Sequence, residues 1–168
     1  MAGFFKNWVL NNEFKKVNSA SQSVNWADVK NICLVIPNDN ASVSAAQVFK
    51  TECQKPVDVI TYTNDKITVN NQVHLSLNKK SLNWLDIPVQ EVMTKLQQKN
   101  YDIVICGDLQ GDSTLRAITL LIKTKCRVGL EGLDYSKHFT ISIAMSPSDG
   151  IGNFLKQVLK YLSLVKTN

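Results

Sequence analysis

At 168 residues, 44% hydrophobic and 20% charged, the chain has the size and composition of one globular domain and is too short for two catalytic lobes. Its longest apolar runs, such as Ile32 to Ile36 and Leu120 to Ile122, fall far short of a membrane span, and the opening Met-Ala-Gly-Phe-Phe-Lys lacks the apolar centre of a secretory leader. A net charge of +5 is carried by dispersed lysines, with no arginine-rich or aromatic-interleaved basic stretch, so nucleic acid is not an expected partner.

Phe4 to Val17 predicts an amphipathic helix, with Phe5, Trp8, Val9 and Phe14 on one side and Lys6, Lys15 and Lys16 elsewhere. Such a helix either packs onto the domain or serves a membrane surface or a partner. A polar linker, Ser19 to Ser23, follows it. The chain therefore divides into an N-terminal helix and linker, 1–23, and one α/β domain, 24–168.

Val29 to Ile36 is continuously apolar and ends at Pro37, the pattern of a central parallel strand covered on both faces. Asn38-Asp39-Asn40 is loop and cap chemistry. Ala41 to Gln54 then predicts a helix with Val43, Ala46, Phe49 and Cys53 along one face, stopped by Pro56. Val57 to Tyr62 predicts the second strand. Ile67 to Val69 and Gln72 to Leu77, flanking Asn70-Asn71, predict a short hairpin. Asp86 is expected to cap a helix that opens with Ile87-Pro88 and buries Val89, Val92, Met93 and Leu96.

Tyr101 to Cys106 predicts the next buried strand. It leads through Gly107-Asp108-Leu109-Gln110-Gly111 into an apolar helix from about Asp112 to Thr124. Cys126 to Leu130 and Phe139 to Ala144 predict two further strands. The last helix, capped by Ser148 or Asp149, repeats Ile151, Phe154, Leu155, Val158, Leu159, Leu162 and Val165 at helical spacing. Alternating strands and helices of these lengths imply a three-layer, Rossmann-like fold with a mostly parallel sheet.

In such folds ligands bind beyond the C-terminal strand ends, where the strand order reverses. With the first strand central, two loops bracket that point. One offers Asn38, Asp39, Asn40 and Ser42; the other offers Gly107, Asp108, Gln110, Gly111 and Ser113. Each opens a helix whose free N–H groups suit a small anionic ligand. The same residues also serve as ordinary caps and turn formers. No Gly-x-Gly-x-x-Gly or Gly-x-x-x-x-Gly-Lys-Ser/Thr occurs, so neither a dinucleotide cofactor nor a conventional ATP site is expected.

Cys33, Cys53, Cys106 and Cys126 form no Cys-x-x-Cys pair, which fits reduced thiols of a cytoplasmic protein. Cys106 stands at a strand end, where nucleophiles occur, but no sequence spacing links it to His74 or His138, so a structural thiol is expected. Two histidines and scattered carboxylates make no zinc set, and Asp108 with Asp112 is a weak cue for a hard cation.

The stretch Tyr101 to Gly111, with Leu115-Arg116-Ala117 and Cys126-Arg127-Val128-Gly129, resembles part of the N-terminal domain of the heptosyltransferase family. The specific element is Asp-Leu-Gln-Gly at 108–111. The chain departs from that family in Cys106-Gly107 ahead of the motif and in Asn38-Asp39-Asn40 where the family has a Gly-Asp loop. It also lacks the nucleotide-sugar-binding second domain, so the resemblance does not imply glycosyl transfer.

Over nearly its full length the chain resembles a family of small, uncharacterised bacteroidete proteins (a domain of unknown function). The shared features are the basic N-terminal helix, Leu82-Asn83-Trp84, the strand Tyr101 to Ile105 and the helix ending near Tyr161-Leu162. That resemblance implies fold and compartment, not an activity. The expectation is a non-catalytic module that binds a ligand, a protein partner or a second copy. The alternatives are a binder or enzyme for a phosphorylated or sugar-nucleotide ligand, and a membrane-surface protein acting through its N-terminal helix.

Overall fold

Six parallel strands in the order β3-β2-β1-β4-β5-β6 form the centre of the computed structural model, which describes residues 2–17, 21–66 and 73–165. The strands are β1 (Ile32–Pro37), β2 (Val57–Tyr62), β3 (Leu75–Leu77), β4 (Asn100–Cys106), β5 (Lys123–Leu130) and β6 (Ile141–Ile143). The helices are α1 (Ala2–Val17), α2 (Asn40–Cys53), α3 (Gln90–Gln97), α4 (Ser113–Leu121) and α5 (Gly150–Leu164).

The three-layer, Rossmann-like α/β fold follows from which strand residues are apolar. Ile32 through Ile36 are all buried, and alternate side chains serve opposite cores. Ile32, Leu34 and Ile36 pack with Phe49 of α2 and Phe154, Leu155 and Val158 of α5. Cys33 and Val35 pack on the other face, with Leu96 of α3, Ile118 and Leu121 of α4, and Leu10 of α1. β4 repeats the division, Ile103 and Ile105 on the first face and Val104 on the second.

Two local expectations change, the cap at Asp86 and the helix start at Ile87-Pro88, and a third lies partly outside the described residues. The first limb of the expected hairpin, 67–69, lies outside the described residues. The second limb supplies β3, which pairs with β2 in parallel. Asp86 does not cap α3: it adopts a left-handed φ of 55° and pairs with Lys79. An antiparallel bridge between Leu82 and Pro88 keeps this stretch extended, so α3 starts only at Gln90, after an N-cap Val89 that has no side-chain bond.

Helix α4 also stops earlier than its apolar pattern suggests, at Leu121. Lys123 is already paired with Asn100 in the sheet. The terminal carbonyls find a tertiary partner: the buried Arg127 guanidinium donates to the carbonyl oxygens of Thr119 (3.3 Å), Leu120 (3.5 Å) and Ile122 (2.7 Å). Asp149 stands at the N-cap of α5, but its side chain bonds no helix N–H.

Candidate functional site

β1 has β2 on one side and β4 on the other, so the strand order reverses between β1 and β4. Two crossovers leave the sheet in opposite directions there, and their loops cannot cover the gap between them. A cleft of about 460 Å³ opens at this point, beyond the C-terminal ends of β1, β2 and β4.

Its floor and one wall come from the loop after β4. Gly107 donates to the Val35 carbonyl at 2.7 Å. A Cβ at this position would stand 2.7 Å from Ile36 Cγ2 and 3.2 Å from Val35 O, so glycine is the residue that lets the two strand ends close up. Asp108, 1% exposed, then turns the chain. Its Oδ1 accepts from the N–H groups of Gln110 (2.9 Å) and Gly111 (3.0 Å), and Oδ2 accepts from the Tyr135 hydroxyl. Gly111 completes the turn at a φ of +82°.

The opposite wall follows β1. The Asn38 N–H donates to the Tyr62 carbonyl at 2.8 Å, tying the loop to β2. Asp39 caps α2, accepting from the Ser42 N–H and hydroxyl at 2.8 Å each. Asp112 caps α4 in the same way, accepting from the N–H groups of Thr114 (2.7 Å) and Leu115 (3.0 Å). Both helix N-termini are therefore satisfied by carboxylates of the chain itself.

Of the residues expected at the site, Asn38, Asp39, Asp108 and Gln110 line the cleft. The others stand behind it or outside it. Ser42 is buried beneath Asp39, Gly107 and Gly111 shape the backbone, Asn40 is exposed on the first turn of α2, and Ser113 accepts a bond from Lys6 at 3.1 Å. The sequence pattern did not point to Tyr62, Thr63, Asn64 and Asp65, which follow β2 into the cleft. The available signal was a polar run after an apolar strand that had to lie beside the first.

Lys6 sits at the shoulder of the cleft. Burial lowers its ammonium pKa, against the pull of Asp86 and Asp112. Tyr62 donates to Asn64 Oδ1 at 2.8 Å, and burial raises its phenol pKa. Cys106 lies beneath the loop, fully buried, with its sulfur 3.5 Å from the Tyr135 hydroxyl. Burial raises its thiol pKa, which removes the thiolate a nucleophile needs. His74 lies 3.9 Å from Asp58, near the opposite end of β2, and His138 packs its ring on Phe14 at 4.8 Å. Neither is a base for Cys106.

All four cysteines are free and buried. Among the described residues, no group of three histidine, cysteine, aspartate or glutamate side chains is placed to hold a metal ion. No helix among them is long and apolar enough to cross a membrane.

No curated protein matches the chain. The profile of a family of unknown function, DUF6913, matches residues 3–165, and the chain belongs to that family.

Proposed function

We propose that the chain is a non-catalytic binding module whose ligand occupies the cleft between β1 and β4. The observation that carries this reading is the cleft's composition at the strand-order reversal. Asp39, Asp65 and Asp112 supply carboxylate acceptors, and Asn38, Asn64 and Gln110 supply carboxamides. Among the described residues, no activated nucleophile accompanies them. Polar groups converging on a preformed concavity suit recognition of one small molecule.

The same composition selects the ligand class. A phosphate or sugar nucleotide would meet three carboxylates and two helix N-termini already capped by Asp39 and Asp112. A neutral hydroxyl-rich or cationic amine-bearing molecule would instead donate to those oxygens. The reading accordingly shifts from the anionic ligand expected from the loops to a polyol or amine.

The local likeness of residues 101–111 to a heptosyltransferase half fits this picture. In that reading the chain is a bacterial, cytoplasmic, glycosyltransferase-like half that keeps the cleft. Its free, buried cysteines agree with a reducing compartment.

Thermal shift and calorimetric titration with a methyl glycoside, a diamine, inorganic phosphate and a nucleoside diphosphate test the proposal. A melting rise with the glycoside or the diamine, lost in Asp65→Asn or Gln110→Ala, is expected. A response to the phosphorylated probes alone, or to none of the probes, overturns it.

A further inference from the structure

α1 is docked on the domain by one side only. Leu10 is buried against α4, Lys6 donates to Ser113 Oγ at 3.1 Å, and the Phe14 ring lies under the Arg127 guanidinium at 5.0 Å and against His138. At about 100° per residue, the arc turned away from Leu10 and Phe14 carries Phe4, Phe5, Trp8, Asn11, Asn12, Lys15 and Lys16. The three aromatic residues remain 79%, 55% and 55% exposed, and both lysines are exposed.

Phe5 and Trp8 stand with ring centroids 5.9 Å apart at the free end of this arc.

We propose that this face docks on an anionic lipid bilayer, with the aromatic rings at the headgroup boundary and Lys15 and Lys16 over the lipid charges. The pattern fits a bilayer better than a protein groove. The exposed rings share their arc with Asn and Lys and form no aliphatic ridge of the kind that interdigitates with a helix or sheet. The charge is complementary as well. The only acid in α1, Glu13, is engaged by Lys16 at 2.8 Å, and the whole chain is +5. Docking needs no rearrangement, because Leu10 and Phe14 keep the helix on the domain while the opposite arc meets the lipid. The inference stands independently of what the cleft binds.

The test is sedimentation of the full chain with vesicles of phosphatidylcholine alone and of phosphatidylcholine mixed with phosphatidylglycerol. Binding to the anionic vesicles is expected to be roughly tenfold tighter or more, and to weaken with salt. The triple variant Phe4→Ser, Phe5→Ser, Trp8→Ser is expected to lose that binding with an unchanged melting temperature. The pair Lys15→Gln, Lys16→Gln is expected to lose only the preference for anionic lipid. No sedimentation with anionic vesicles, or undiminished binding by the triple variant, overturns the proposal. So does a concentration-dependent dimer that the triple variant abolishes, because the face then belongs to a second copy.

Discussion

The Tyr135 hydroxyl donates to the carboxylate of Asp108, a residue 27 positions earlier, and the two are buried together under the cleft floor. Asp108 thus acts on the cleft through backbone geometry. One oxygen holds the turn at Gln110 and Gly111, and the other is fixed from the β5–β6 connection. Arg116 covers the Tyr135 ring at 5.5 Å, and Cys106 lies against its hydroxyl.

Removing that hydroxyl leaves a buried carboxylate oxygen without its donor. Tyr135→Phe is expected to cost about 1–3 kcal/mol of unfolding free energy, measured by urea denaturation. Asp108→Asn alone is expected to destabilise by a similar amount. The double variant should cost less than the two single changes added together, because both remove one interaction. Strict additivity would show that the bond contributes nothing to the fold.

Two glycines predict opposite signs. Gly107→Ala puts a methyl group 2.7 Å from Ile36 Cγ2 and is expected to destabilise by about 1–3 kcal/mol. Gly152 lies in α5, and a methyl group there would meet nothing within 4 Å beyond its chain neighbours and its own helix backbone, so Gly152→Ala is expected to stabilise by up to about 1 kcal/mol. Melting temperatures of the two variants relative to the parent check both. A neutral Gly107→Ala would mean that the strand ends at the cleft can spread.

What could be read from the sequence follows the range of the interactions involved. β1 and β4 announce themselves because burial on both faces demands an unbroken apolar run, and α5 because its apolar residues recur at helical spacing. Once β1 is central, the loops at 38–42 and 107–113 follow from the strand-order rule. Asp65 was out of reach, because its place in the cleft depends on β2 being adjacent to β1. Lys6 was hidden for a similar reason, since nothing local says that α1 lies on α4. The early end of α4 is equally non-local, its carbonyls being satisfied by a side chain from β5.

Arg127 is the side chain in question, and its substitution separates capping from packing. Arg127→Met keeps much of the apolar stem but leaves the carbonyls of Thr119 and Ile122 without their donor. A loss of about 2–4 kcal/mol is expected. Hydrogen exchange should speed up first in the last turn of α4. Unchanged protection there would show that the guanidinium is not what ends the helix.

Asp58 gives the fold an acid-sensitive contact at the edge away from the cleft. Burial would raise its carboxyl pKa. The donors Lys99 Nζ and Tyr101 OH, each at 2.7 Å, with the charge of His74, outweigh that and hold it below the ordinary value. A depressed folded-state pKa means that the unfolded chain takes up the proton first as pH falls. The stabilisation is therefore complete above the unfolded carboxyl pKa of about 4 and is lost as pH drops through the folded value. Asp58→Asn removes the charge while keeping the shape. Its destabilisation relative to the parent, measured by urea titration, is expected to be about 1–2 kcal/mol at pH 7 and to shrink toward pH 3. A difference that stayed constant over this range would mean that Asp58 contributes only as a neutral hydrogen-bond acceptor for the Tyr101 phenol, with no stabilisation from its charge.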